Sequence, residues 1–165
     1  MKSRRAFIST VGAVGISMVY AKSSIESRLP EDIYSVIAKV QEHLFPEGSL
    51  LPSAKLFGAT LFLESTLYHS SYDRDIRAFV LKGARELSKR EHNLLLEYQP
   101  YQLERALRDF EKTSMGSGWL NRVMILSIEA LLSDPIYGGN FQELGWRALD
   151  TMGGEPRPSS RYIVL

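Results

Sequence analysis

Cysteine is absent from the 165 residues, which excludes a disulfide framework, a thiolate metal site, a cysteine-ligated iron–sulfur cluster and covalently attached haem. Whatever stabilises the fold must be packing. Histidine is scarce: His43, His69 and His92 stand far apart at the ends of predicted helices with no carboxylate at ligand spacing, a placement that suits interaction with the helix dipole better than metal or haem ligation. Strand-like alternation is nearly missing, residues 161–165 being the one candidate, so the chain reads as all-α. No Gly-x-Gly-x-x-Gly, Walker or nucleophile-elbow pattern occurs, so no motif binds a nucleotide or a flavin here. Charge of one sign is not in excess either. Beyond residue 21 there are 17 basic and 19 acidic residues, a balance that predicts no nucleic-acid binding.

A long apolar run is lacking too, and the nearest approach to one is instructive. Residues 6–20 carry Val, Ile, Phe and Met diluted by Gly12, Gly15, Ser9, Thr10 and Ser17. That is too short and too dilute for a membrane span, which needs about 20 mostly apolar residues. Ahead of it stand Lys2 and the consecutive pair Arg4-Arg5, with Phe7 two places on and no acid nearby, and Val19-Tyr20-Ala21 closes it with small residues at the two positions a signal peptidase reads. The order of these features is that of a twin-arginine export signal, residues 1–21, cleaved between Ala21 and Lys22. That route carries proteins that have already folded, often with a cofactor or a partner in place.

Residues 22–30 read as a polar tether and 31–133 as one helical domain. The first helix begins near Pro30-Glu31-Asp32, sets Ile33, Ile37, Val40 and Leu44 on one stripe, and stops at Phe45-Pro46. A second runs from Leu51-Pro52-Ser53 to about Tyr68, with Leu56, Phe57, Thr60, Leu61, Leu63 and Leu67 covering so much of its circumference that it should be the most buried element. Asp73 caps a third to Lys89, with Ile76, Phe79, Val80 and Leu87 apolar. The fourth, 101–112, repeats Leu103, Leu107 and Phe110 and can pair Glu104 with Arg108 outside. Met115 to Gly118 reads as a turn, and 119–132 as a fifth helix with Leu120, Val123, Met124, Ile128 and Leu131 inward.

The remaining segment, 134–165, changes character. Asp134-Pro135-Ile136-Tyr137-Gly138-Gly139-Asn140 is a loop dense in residues that permit unusual backbone angles, followed by a short aromatic helix, 141–149, containing Trp146, and a Gly/Pro-rich finish. The expected architecture is therefore a single compact domain of about five helices with an irregular C-terminal segment. Asp73, Asp75, Asp134 and Asp150 sit near predicted helix ends, where capping and turn roles outweigh acid–base work, and the basic group Arg85, Lys89, Arg90 and His92 reads as a solvated face. No catalytic set and no metal site emerges.

The Arg-Arg signal, the early His43-Leu44-Phe45-Pro46, the helical middle, and the block from Asp134-Pro135-Ile136-Tyr137-Gly138-Gly139-Asn140 to Gly145-Trp146 together resemble the gluconate 2-dehydrogenase subunit 3 family. The likeness spans most of the chain, and the Tyr-Gly-Gly-Asn to Gly-Trp block is its better discriminator. The resemblance implies a non-catalytic small subunit that binds no cofactor itself. It accompanies a large glucose-methanol-choline type subunit holding FAD and the sugar, polyol or sugar-acid substrate, with a cytochrome c subunit carrying haem. It also implies delivery by the twin-arginine translocase to the periplasm and membrane association through the complex. Pro135, Tyr137, Gly138, Gly139, Asn140, Phe141 and Trp146 are the expected contact with the large subunit, since glycines allow close approach and aromatics anchor interfaces; closure of the domain's own core is the competing role for Tyr137 and Trp146. The rival function is a free-standing periplasmic enzyme or ligand-binding protein that travels by the same route.

Overall fold

The computed structural model describes residues 29–92 and 95–161. Arg4, Arg5, Phe7, Ala21, Lys22 and all but Arg161 of the strand candidate at 161–165 lie outside them. The described residues form seven α-helices and three short 3-10 turns, with no strand among them. Helix α1, Glu31–Leu44, starts behind Pro30 with two acids in its first turn and buries Ile33, Ile37 and Val40, as the stripe predicts. Helix α4, Arg74–Arg90, is capped by Asp73, whose side chain accepts from the backbone N–H groups of Asp75 and Ile76 at 2.7 and 3.0 Å. Helix α5, Pro100–Glu111, puts proline at its first position and buries Leu103, Leu107 and Phe110.

Two expected boundaries fall elsewhere, and both for tertiary reasons. The second helix is broken into α2, Ala54–Phe57, and α3, Ala59–Leu67, because Gly58 turns left-handed at φ 77° and leaves room where a Cβ would lie 2.5 Å from the Phe141 ring. The kink rotates the apolar set, so Phe57, Phe62, Leu63 and Leu67 are buried while Leu56 stays 54% and Leu61 39% exposed. Met115 to Gly118, expected as a turn, is the first part of helix α6, Ser114–Leu132. Thr113 caps it by accepting from the Gly116 N–H at 2.9 Å. Gly116 serves close packing here, for a Cβ would fall 1.9 Å from the Phe110 carbonyl oxygen at the end of α5. Ile128, expected inward, is 41% exposed.

Helix α6 is the centre of the molecule, packed against α1, α3, α4 and α5. One core gathers Ile33, Ile37, Val40, Leu63, Leu67, Val80, Leu87, Leu107 and Phe110 around Trp119. A second gathers Phe45, Phe57 and Phe62 against Ala130 and Leu131 at the far end of α6. A buried polar line keeps α1, α3 and α6 in register: Gln41 Nε2 donates to Ser127 Oγ at 2.9 Å, Ser127 Oγ to the Val123 carbonyl at 2.7 Å, and Thr60 Oγ1 to Gln41 Oε1 at 2.8 Å. Each of these groups is satisfied, so burial carries no desolvation penalty for an orphan. Leu29, where the described chain begins, is tied down by its N–H donating to Glu64 Oε1 at 2.8 Å.

Candidate functional site

An α-helix leaves its last carbonyls without intrahelical partners, and the C-terminal block answers that need for α6. Trp146 Nε1 donates to the Leu132 carbonyl at 2.9 Å, Asn140 Nδ2 to the Ser133 carbonyl at 3.0 Å, and the Gly145 N–H to Asn140 Oδ1 at 2.8 Å. Asn140 is fully buried. The expected helix over 141–149 shrinks to a 3-10 turn, Phe141–Glu143, and α7, Leu144–Ala148. Its start is held left-handed at Asn140, Gln142 and Glu143, with φ of 45°, 55° and 60°. Such angles cost non-glycine residues of order 1–3 kcal/mol each and persist only when the surroundings over-determine them. The surroundings here include Arg157, which stacks 4.7 Å over the Trp146 ring and donates to both Asp134 and Glu143. Partial burial pushes the Asp134 carboxyl up, but the Arg157 guanidinium and the Ile136 N–H outweigh it and hold the carboxyl below its ordinary range.

The residues expected at a partner contact are thus divided. Gly139, Asn140 and Trp146 are buried against this chain's own helices, and Phe141 lies half-buried over Gly58. Pro135, Tyr137 and Gly138 keep surface exposed on the 3-10 turn Pro135–Tyr137 and its left-handed end. Tyr137, at the end of that turn, forms one wall of an open groove of about 450 Å³, whose other walls are Phe62 and Thr66 of α3, Ile128, Glu129 and Leu132 of α6, and Ser133. The groove opens onto the outward face of α6, which carries an apolar end, Ile125, Ile128 and Leu132, exposed by 36 to 43%. Of its 19 residues only Arg122 and Glu129 are charged. A helix that is hydrophobic all round is ordinarily buried on all sides.

A second feature lies between the end of α1 and α5. His43 Nε2 stands 2.6 Å from Glu104 Oε2, and Arg108 Nε donates to Glu104 Oε1 at 2.8 Å. An ionised carboxylate only accepts, so Nε2 carries the proton. The two bonds flank a cleft lined also by Ser117, Leu120, Asn121 and Met124. The expected Glu104–Arg108 pair forms, and the histidine is an addition to it from an element distant in sequence. These hydrogen bonds, that of His43 first, hold the Glu104 carboxyl below its usual value. A depressed acid contributes stability that is whole above the ordinary carboxylate pKa of about 4.3 and is lost as pH falls through the lowered value. Glu104 is 47% exposed, so the contribution is expected to stay below about 1 kcal/mol. Urea titrations of the wild type and Glu104→Gln should converge as pH drops through that window, with the wild type more stable only on its alkaline side.

His69 hydrogen-bonds Ser71 through Nδ1, and His92 follows α4. Among the described residues no three His, Cys, Asp or Glu side chains gather where they could hold a metal, and no helix is long and apolar enough to cross a membrane. Sequence reasoning missed Arg157 and the outward face of α6; the near absence of charge from 114 to 132 was the available signal for the second. The sequence matches no protein-family model, and no curated protein or solved structure matches it significantly.

Proposed function

We propose that this chain is the non-catalytic small subunit and twin-arginine export escort of a periplasmic FAD-dependent dehydrogenase of the glucose-methanol-choline type. The complex oxidises gluconate or a related sugar, polyol or sugar acid. FAD sits on the large subunit, haem on a cytochrome c subunit, and the membrane is reached through the complex. The observation that carries this reading is the groove: Tyr137, part of the block that resembles the gluconate 2-dehydrogenase subunit 3 family, supplies a wall of an open, mainly apolar trough with Phe62, Thr66, Ile128 and Leu132, edged by Glu129 and Ser133. Apolar troughs rimmed by polar residues mark protein contacts. The Arg4-Arg5 leader supports the same reading, because its route accepts folded cargo.

Affinity capture of the tagged chain from periplasm tests it. The expected eluate contains a larger flavoprotein in stoichiometric amount, with a flavin absorbance band. Thr66→Arg, which fills the trough from its half-buried wall, is expected to remove most of the captured flavoprotein. A lone colourless chain overturns the proposal and turns attention to a free-standing periplasmic protein, whose ligand site would be the cleft beside His43 and Glu104.

A further inference from the structure

The outward face of α6 has a second property besides its lack of charge. At about 100° per residue, Ser114, Gly118, Asn121, Ile125, Ile128 and Leu132 fall within one arc of about 80°, all exposed. Small or short side chains occupy its first half, and branched apolar ones its second. Two such faces laid parallel would set large on large at one end and leave a void at the other. Laid antiparallel they are complementary.

We infer that, while the trough holds no large subunit, a second copy of this chain occupies the face, with the two α6 helices packed antiparallel about a two-fold axis beside Ile125; because Ile128 and Leu132 also wall the trough, the pairing and the complex proposed above exclude each other. That axis brings Ile125 against Ile125 of the second copy and sets Leu132 level with Gly118 of the second copy, where no side chain blocks approach. Ile128 falls beside Asn121 of the second copy. The charges agree with the same register. Arg122 and Glu129 lie about 20° apart around the helix, and both are near enough to the Tyr72 phenol to act on it electrostatically, which places them on one flank. A two-fold axis across the helices keeps that flank together, so Arg122 comes within one residue of level with Glu129 of the second copy, twice over. Among the described residues neither side chain is in an ion pair within its own chain. A parallel pairing, about an axis along the helices, would instead put the two charged flanks on opposite sides of the contact, where Arg122 and Glu129 meet no charge of the second helix. An isologous contact, in which one patch meets its own copy, is the usual way for a chain to pair.

The helix is about 28 Å long, so a single helix pair covers less than the roughly 800 Å² per partner of a standard interface. The dimer is therefore expected to be of micromolar strength, visible as a mass that rises with concentration. Sedimentation equilibrium of the full-length chain tests this directly. Arg122→Glu and Glu129→Arg, each alone, place like charges across the axis and are expected to weaken dimerisation by about tenfold or more. The combined swap exchanges the charges and should return the dissociation constant to near the wild-type value. Circular dichroism on the three variants keeps unfolding apart from loss of contact, both sites being at the surface of α6. A mass that stays monomeric up to about millimolar concentration, a dimer insensitive to either single swap, or a double swap as weak as its parents would each overturn the arrangement.

Discussion

Trp119→Ala should destabilise the protein by about 3–5 kcal/mol, the range for emptying the site of a large buried aromatic. Ordinary domains have about 5–15 kcal/mol in all, so the variant would sit near the edge of folding. Trp119 is the largest fully buried side chain, and three contacts depend on its shape. Its Nε1 donates to the Val80 carbonyl of α4 at 2.8 Å. Its ring meets Phe110 of α5 edge to face with centroids 6.0 Å apart. It also packs against Gly83, where an added Cβ would stand 2.1 Å from the indole. One side chain therefore joins α4, α5 and α6. Trp119→Phe restores part of the apolar volume but leaves the Val80 carbonyl without its donor, and should cost less than the alanine variant. Gly83→Ala probes the same packing from the other side, adding a methyl where the indole already is. Denaturant melts followed by far-UV circular dichroism read all three: the midpoint should fall in each, furthest for Trp119→Ala, with the slope unchanged. A melt of Trp119→Ala indistinguishable from wild type would mean that the three-helix junction is not organised by this residue.

What could be read from the sequence was what neighbours along the chain decide. The stripe of Ile33, Ile37 and Val40, the Asp73 cap and the Glu104–Arg108 pair all depend on residues within a turn or two, and all are found. Gly58 and Gly116 show where local reasoning stops. Gly58 falls inside a predicted helix and Gly116 in a predicted turn, yet the first breaks a helix and the second lies inside one, because the deciding neighbours are Phe141 and Phe110 across the fold. The C-terminal block was recognisable as unusual from its Tyr137, Gly138, Gly139 and Asn140, but its closure of the last α6 carbonyls by Asn140 and Trp146 follows only from tertiary placement. His43 gave no hint of Glu104, since nothing in a helix stripe specifies what lies opposite its end. The same limit explains Arg157: in sequence it is one basic residue in a proline-rich tail, and in space it joins Asp134, Glu143 and Trp146.

If the proposed escort role holds, replacing Arg4 and Arg5 together by lysine is expected to retain both this chain and the proposed flavoprotein partner in the cytoplasm, with dehydrogenase activity lost from the periplasm. The change is chosen because it keeps the positive charge of the leader. A translocation route that reads charge alone would tolerate it, whereas recognition of two guanidinium groups would not, since the planar five-donor fork of arginine has no equivalent in the lysine ammonium. Because lysine keeps the charge at both positions, the melting curve and the capture of the flavoprotein from whole-cell extract are expected to stay unchanged. That separation gives the experiment its force. Loss of periplasmic activity together with intact capture from cytoplasm assigns the defect to transport of an assembled pair. Normal periplasmic activity in the double lysine variant would show that the flavoprotein crosses without this chain, and the escort role would have to be given up even if the two proteins bind.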